Sequence, residues 1–291
     1  MLNSFTLSDF LKKYKTNEDC LEEIKNIIYS NGVKCKICKK ITPHYKIKSK
    51  KVYSCQNCGT QVSPLANTIF HKSSTDLLDW FYAIYLITQT RGGLPALELQ
   101  RMLGCSYKTA WRMGHQIRKL MTDEEKGLLS GDVEVDETFV GGKGFNRIKV
   151  DFTERPKEVV MGMVERGGKL RAKHIETTGK WALREQIEKH IDPKARVFTD
   201  QFAGYHQLRK LGYSHYSVNH GKFQYRKGDA YTQNIENVWS HLKRGINGVY
   251  HHVSKKHLQA YVDEFTFRYN NRKSEDMFAL VLNRVVSVRR K

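Results

Sequence analysis

The segment GDVEVDETFV, Gly131 to Val140, decides how the rest of the chain is read. Val133 and Val135 alternate with Asp132, Glu134 and Asp136, the period-two pattern of a strand with one apolar face. The other face carries three carboxylates in a row. Such a face repels itself and does not sit unpaired in a core, so it calls for a divalent cation or a cluster of basic groups. An exposed edge strand with a solvated acidic face is the plainer alternative. Acids are scarce in this chain, however, and two more stand downstream at telling places, Asp200 and Glu236.

Beyond the strand, Gly141, Gly142 and Gly144 open a turn, and Lys143 to Pro156 reads as a polar loop. Glu158 to Val164 and Leu170 to Ile175 flank Arg166-Gly167-Gly168-Lys169, a hairpin signal. A helix is expected from Trp181 to His190, then a short buried strand from Ala195 to Phe198 that runs into Thr199-Asp200. A helix over Ala203 to Leu211, a strand over Tyr213 to Val218 and a helix from Gln233 to about Asn247 complete the series. A meander followed by crossover helices implies a mixed sheet with helices on its faces. The order is also that of the ribonuclease H fold, whose first and fourth strands lie side by side. On that layout Asp136 and Asp200 meet at one edge of the sheet, and Glu236 faces them from the first turn of the last helix.

Three acids in that arrangement have a chemical rationale. Attack on a phosphodiester needs an acidified nucleophile and a stabilised leaving oxygen, and two divalent ions about 3.5–4 Å apart supply both. Oxygen ligands with water in the remaining positions suit Mg²⁺ or Mn²⁺. Glu236, Ser240, Lys243 and Asn247 share one helical face, so Lys243 stands roughly 10 Å along the helix from the acid, placed to hold a phosphate. Ile235, Trp239, Leu242 and Ile246 make the opposite, buried stripe.

Composition narrows the partners. In 291 residues there are 50 Lys and Arg against 30 Asp and Glu, a formal net charge of +20, which favours a polyanion. The longest apolar stretch, Leu77 to Ile87, is about half a bilayer span and contains Asp79. The opening MLNSFTLSDFLKKYK lacks the order of a secretory signal, which with two CxxC pairs predicts a reducing, cytoplasmic setting close to the nucleoid.

Thr16, with Asp19 three residues on, begins a helical pattern that Asn31-Gly32 ends. Cys35-x-x-Cys38 and Cys55-x-x-Cys58 follow, with 16 residues between the pairs. Four thiolates so spaced can meet at one tetrahedral, structural Zn²⁺, since four sulfurs leave no open position for a substrate. Binding worth about 10 kcal/mol or more replaces the core so short a segment lacks. Eight lysines (Lys34, Lys36, Lys39, Lys40, Lys46, Lys48, Lys50 and Lys51) lie among the cysteines with no acid between them and lean toward phosphate contacts. Cys20 and Cys105 are expected to be small buried residues.

Residues 73–127 read as a helix-turn-helix-like unit: a helix capped at Ser73, Ser74 or Thr75 and closed by Gly92-Gly93, a short helix from Pro95 to Leu103, and a longer one capped by Ser106. Lys108, Arg112, His115 and Lys119 form a basic stripe on the last. Ser106, Tyr107 and Lys108, in its first turn, are the residues placed to reach base edges. After the catalytic candidate, Ser254 caps a helix with Leu258, Tyr261, Val262, Phe265 and Tyr269 as its buried side. Adjacent His251 and His252 point apart and favour surface or DNA contact over metal.

VEVDETFVGGK, VFTDQFAGY and NIENVWSHLK, in this order, resemble the three motifs of DDE insertion-sequence transposases, and the zinc-bearing N-terminus is similar to one group of them. LANTIFHKS (Leu65 to Ser73) and FTFRYNNR (Phe265 to Arg272) resemble segments flanking that group's core. The resemblance implies Asp136, Asp200 and Glu236 as the metal-binding triad, with Lys243 as the basic residue seven after the Glu. It leaves 35 residues between Asp200 and Glu236. Asn237 adjoins Glu236, and the spacing to Lys243 favours Glu236. Glu137 points off the other face of its strand as a supporting group, and Glu134 is a weaker ligand candidate.

The expected organisation is therefore α/β: an N-terminal helix and zinc ribbon over 1–72, the helix-turn-helix-like region over 73–127, an RNase H-like catalytic core over 128–273, and a basic tail over 274–291. The implied activity is metal-dependent cleavage at the element's terminal inverted repeats and strand transfer into target DNA, by a homodimer or larger assembly. The alternatives are a DNA-binding protein of the same fold without catalysis, and a structure-selective nuclease.

Overall fold

The computed structural model describes residues 5–48, 50–122, 127–141, 157–218, 229 and 231–286. The polar loop expected between Lys143 and Pro156, and the terminal Arg289-Arg290-Lys291, lie outside them. The chain divides into two compact units, Met1–Met121 with Ser274–Lys291, and Thr122–Lys273.

In the first unit, α1 (Leu7–Lys13) and α2 (Asn17–Ile28) start on the same device. Thr6 accepts from the Asp9 N–H, and Thr16 from the Asp19 N–H, while each Asp carboxylate returns a bond to the threonine's own N–H. The second box is the one expected from the sequence, and the first is an additional one. The ribbon follows as β1 (His44–Lys46), β2 (Tyr53–Cys55) and β3 (Gln61–Val62), paired antiparallel in that order. Three helices come next: α3 (Leu77–Gln89), α4 (Ala96–Leu103) and α5 (Tyr107–Leu120). The turn between α4 and α5 uses Gly104 at φ 62°, a left-handed cap that glycine takes without strain, and Ser106 caps α5 through the Thr109 N–H. Asp76, not one of the preceding hydroxyls, stands at the start of α3. Ser73 is engaged elsewhere, accepting from the Trp80 indole and from Arg112.

The second unit is a five-stranded sheet of β4 (Asp132–Val140), β5 (Glu158–Glu165), β6 (Leu170–Ile175), β7 (Arg196–Thr199) and β8 (Ser214–Ser217), in the order β6-β5-β4-β7-β8. The first three strands are an antiparallel meander, and β7 and β8 join parallel to β4. This is the ribonuclease H arrangement, first strand beside fourth. On one face Val133, Val135, Met161, Met163 and Val197 pack against Leu183 and Ile187 of α6 (Lys180–His190). On the other face Val160, Val164, Leu170 and Ala172 meet Ile235, Trp239 and Leu242 of α7 (Gln233–Gly245), and Leu258 and Val262 of α8 (Lys255–Asn270). Alternation along one strand thus feeds two separate cores.

Three elements depart from expectation. Ala203 to Leu211 forms two short 3₁₀ turns, not a helix. Gly204 sits so close to α6 that an added Cβ would fall 2.8 Å from Leu183, and the chain there follows that contact. Helix α7 passes into a π-helical turn at Ile246–Tyr250. The segment assigned to a basic tail contains α9 (Met277–Asn283), whose Asp276 caps the Ala279 N–H. Phe278 stacks on Phe5 and contacts Phe10, Tyr14, Phe81 and Tyr85. A buried aromatic cluster is thus completed from the far end of the chain, which is why these residues belong to the first unit. Among the described residues no helix is long and apolar enough to cross a membrane.

Candidate functional site

The acidic face of β4 is resolved residue by residue. Asp132 takes a two-pronged bond from Arg196, Nε and Nη2 each at 2.7 Å. Glu134, wholly buried, accepts from Arg166 Nε at 2.9 Å, from the Asn234 and Ile235 backbone N–H groups at 2.9 and 3.2 Å, and from Asn234 Nδ2 at 2.7 Å. Its charge therefore lies against the first turn of α7, where helix N–H groups lack internal partners and the dipole favours an anion. Thr232, the residue at the helix start, makes no side-chain cap of its own. Glu134, considered as a weaker metal ligand, is instead the cap of that helix delivered from a strand. Arg166, read only as a turn residue, holds the assembly: Nη2 donates to the Tyr231 carbonyl at 2.9 Å, and its plane stacks between Phe198 and Tyr231 at 3.9 and 3.6 Å.

Asp136 differs from both. Among the described residues it has no cationic partner; its one side-chain donor is the Trp239 indole Nε1, 2.9 Å from Oδ2. Burial pushes its carboxyl up to about 6, the charges of Asp200 and Glu236 add to the rise, and bonds from the Glu137 N–H and Trp239 oppose it. The Trp239 ring reaches this position because Gly162, directly across the sheet from Asp136, has no side chain. A Cβ there would lie 2.5 Å from the indole and 2.8 Å from Ile235. Trp239 belongs to the buried stripe expected of α7. It is buried, yet it sits three residues after Glu236, where neighbours on a helix share a flank, and that spacing was the available signal.

Asp200 follows β7, which pairs parallel with β4 as Val133 with Val197 and Glu134 with Phe198. Two residues further along both strands the register brings Asp136 and Asp200 abreast. Asp200 Oδ1 accepts the Phe202 N–H at 2.9 Å, which fixes the turn after the strand, and among the described residues Asp200 too lacks a cationic partner. Glu236 is exposed in the first turn of α7, with Thr232 Oγ1 donating to Oε1 at 3.0 Å. Lys243, Ser240 and Asn247 are exposed on its side, and Asn237 is exposed beside it. Glu137 faces the α6 core as expected and accepts a short bond from the buried Tyr205 hydroxyl. Burial, then the neighbouring Asp136 and Asp200 charges, push its carboxyl up to about 7. Tyr205 had no sequence signal beyond standing five residues past Asp200.

Three acids near one another, with Asp136 desolvated and neither Asp136 nor Asp200 meeting a cation among the described residues, fit hard divalent ions through oxygen. Their carboxylates do not all come within 4.8 Å of one another, a spacing that among the described residues only the four cysteines meet. Two ions about 3.5–4 Å apart do not require the outer ligands to touch.

At the ribbon, Cys35 and Cys58 sulfurs are 3.5 Å apart, and those of Cys38 and Cys55 are 3.9 Å apart. A tetrahedron of Zn–S bonds of about 2.3 Å has edges of roughly 3.8 Å, so the four sulfurs fit zinc. The Thr42 hydroxyl, 3.2 Å from the Cys55 sulfur, and the Asn57 and Cys58 N–H groups pull the Cys55 thiol down to about 6, which favours the thiolate a metal needs. Each pair turns back at the residue after its second cysteine, Lys39 at φ 60° and Gly59 at φ 72°. Cys20 is buried and Cys105 half-buried, and neither joins the group.

On α5, Tyr107 and Lys108 are exposed beside the capping Ser106, and Lys119 is exposed near the other end. Arg112 is half-buried, donating to Ser73 and Thr75 and lying over the Trp80 ring at 5.4 Å. The His115 ring lies against that of Trp111, tilted at 53° with centroids 4.1 Å apart. The expected basic stripe is therefore part surface and part scaffold.

No curated protein matches the chain. Among solved structures, a crystal structure of a pre-cleavage Mos1 transpososome is similar over 72% of this chain and 79% of that one, at 10% identity and a TM-score of 0.27. Residues 15–61 match the transposase zinc-ribbon domain, and residues 128–270 match the ISXO2-like transposase domain. The first match holds all four cysteines and the second all three acids with Lys243. The chain thus belongs to the zinc-ribbon DDE transposases of the IS1595 type.

Proposed function

We propose that this transposase binds the terminal inverted repeats of its own element, frees a 3′-hydroxyl there and directs that hydroxyl at target DNA. The observation that carries the reading is the contrast along β4. Asp132 and Glu134 are each satisfied by arginine, whereas Asp136, mostly desolvated beside Asp200 and Glu236, meets no cation among the described residues and takes its one side-chain bond from an indole N–H. Asp136, Asp200 and Glu236 would hold Mg²⁺ or Mn²⁺. Bound there, two such ions acidify the attacking oxygen and stabilise the leaving one.

The chain's own residues supply the rest. Trp239 fixes the orientation of Asp136 through one carboxylate oxygen. The Phe202 N–H does the same for Asp200. Glu134 and Arg166 set the position of the helix turn that bears Glu236. Lys243, exposed on the Glu236 side of α7, is placed to hold a phosphate of the strand being cut. The zinc ribbon and the α3–α5 unit would bind the element ends, and joining two ends calls for two active sites, hence a dimer or larger assembly on DNA.

The test is strand transfer with oligonucleotides that end in the inverted repeats flanking the gene, with Mg²⁺ or Mn²⁺ supplied. Asp200→Ala is expected to abolish joining and spare end binding. Joining by that variant at the wild-type rate would remove Asp200 from the chemistry, and with it this reading.

A further inference from the structure

Between the loop 65–73 and helix α5 lies a cavity of about 200 Å³. Asn67, Thr68, His71, Arg112, Gln116 and Lys119 line it, and among the described residues no carboxylate does. From these residues we infer a binding site for one backbone phosphate of DNA, separate from the base-reading start of α5. The inference rests on the proposed binding of element ends, which it deepens by assigning a phosphate contact.

The lining is rich in donors. His71 Nδ1 accepts the Asn67 N–H at 2.7 Å, which leaves the ring proton on Nε2. Arg112 spends only Nη2 on protein, toward Ser73 and Thr75. Its Nη1 and Nε have no acceptor among the described residues. Gln116 and Lys119 follow 4 and 7 residues later on the same helical face. Two permanent cations, an amide and an imidazole N–H around a space that no described carboxylate lines fit an oxyanion.

Size and position choose which oxyanion. Drug-sized ligands occupy roughly 300 Å³ or more, so this space suits a single phosphate group. Gln116 lies about 14 Å along the helix from Tyr107. The major groove is about 12 Å wide and 8.5 Å deep. When the first turn of α5 reaches base edges, the pocket is therefore at the level of the sugar–phosphate backbone.

The loop is built in advance for this role. Thr68 donates to the Leu65 carbonyl at 2.7 Å and accepts the Phe70 N–H at 3.2 Å, while Ile69 and Phe70 are buried. Asn67 and Lys72 hold φ of 61° and 54°. Ser73 then ties the loop to Arg112. A cradle fixed before binding loses little freedom when the ligand arrives.

The experiment measures affinity of the full-length, zinc-loaded protein for a repeat-bearing duplex and for a scrambled duplex, from 50 to 200 mM salt. One lost phosphate contact lowers the salt slope by about 0.9 and affinity on the order of fivefold near 0.15 M. Lys119→Ala, at an exposed position, is expected to show both effects equally on the two duplexes, and Lys119→Arg to restore them. Gln116→Glu, which puts a carboxylate in the cradle, is expected to lose more. A loss confined to the repeat duplex with an unchanged slope would mean base reading, and no loss on either duplex would mean a solvated cavity; each overturns the site. The readout needs no strand transfer, so a protein that binds DNA without joining it would sink the proposed function and leave this test intact.

Discussion

Removing the Glu134 carboxylate is the sharpest perturbation of the second unit that the structure offers. Its side chain is fully buried, the Arg166 side chain is 14% exposed, and four donors converge on its two oxygens. In Glu134→Ala, Arg166 keeps the Tyr231 carbonyl and a long 3.4 Å contact with Asp132, but its main counter-ion is gone. The first turn of α7 loses its cap at the same time. Breaking a buried pair by deleting one partner costs about 3–5 kcal/mol. For a unit of this size that lowers the thermal midpoint by roughly 6–20 °C. Glu134→Gln keeps an oxygen for the helix N–H groups and loses the charge, so it should fall between, at about 1.5–3 kcal/mol. Thermal unfolding of the three proteins, with hydrogen exchange at Asn234 and Ile235, tests the order. If Glu134→Ala unfolds within 0.5 kcal/mol of wild type, as neutral surface changes do, the capping argument is wrong.

Trp239→Phe removes the indole donor from Asp136 while keeping most of the packing. Strand transfer should fall, and in the metal-free protein the titration of Asp136 should move to higher pH; an unmoved titration would separate the indole from the acid. Gly162→Ala drives a methyl group into the same ring and should cost about 1–3 kcal/mol from overpacking, read by urea unfolding. In the metal-free protein, Asp136 keeps its proton to about pH 6, whereas an unfolded chain releases it near 3.8. Stability should therefore fall from about pH 4 to 6, by roughly 3 kcal/mol if this group acts alone. Asp136→Asn should make that segment shallower, with Glu137 still contributing above about pH 4.5, and an equal slope in the variant would assign it elsewhere. Chelating the zinc should unfold the ribbon, seen as loss of exchange protection at Tyr53 and Cys55; retained protection would mean that the short β1–β3 sheet stands without metal. Phe278→Ala should destabilise the first unit by about 3–5 kcal/mol, whereas a basic tail would tolerate it.

What was legible in the sequence followed local rules. The Thr16–Asp19 box, the Ser106 cap and the Gly104 turn need only residues within one turn of each other, and all three formed. The mixed sheet followed from the alternation of strand and helix patterns, while its strand order, and with it the juxtaposition of Asp136 and Asp200, followed from the likeness of that series to the ribonuclease H layout. The unread features are long-range. Nothing near Arg166 in the chain shows that it will bind Glu134 on another strand and the Tyr231 carbonyl beyond the sheet. Phe278 reads as an apolar residue in a basic terminus until Phe5, Phe10 and Tyr85 are seen around it. Gly204 looked compatible with a helix because its constraint, contact with Leu183, is tertiary.

The acidic strand itself shows why a pattern alone could not assign its charges. Asp132, Glu134 and Asp136 are equivalent by period and face, yet the fold treats them unequally. Arginine reaches the first two because Arg196 and Arg166 stand at the same end of the sheet, beside Asp132 in the registers of β7 and of the β5–β6 turn. Asp136 lies further along β4, where Gly162 across the sheet admits the Trp239 ring. That ring is a large apolar wall with a single donor, so it desolvates the carboxylate without neutralising it. A buried acid in that state either takes up a proton or takes up a cation, and Asp200 and Glu236 nearby make the second far more favourable once divalent ions are present. The two arginine-bound acids make the frame rigid, and the third is left charged and poorly compensated by the packing of a glycine against a tryptophan.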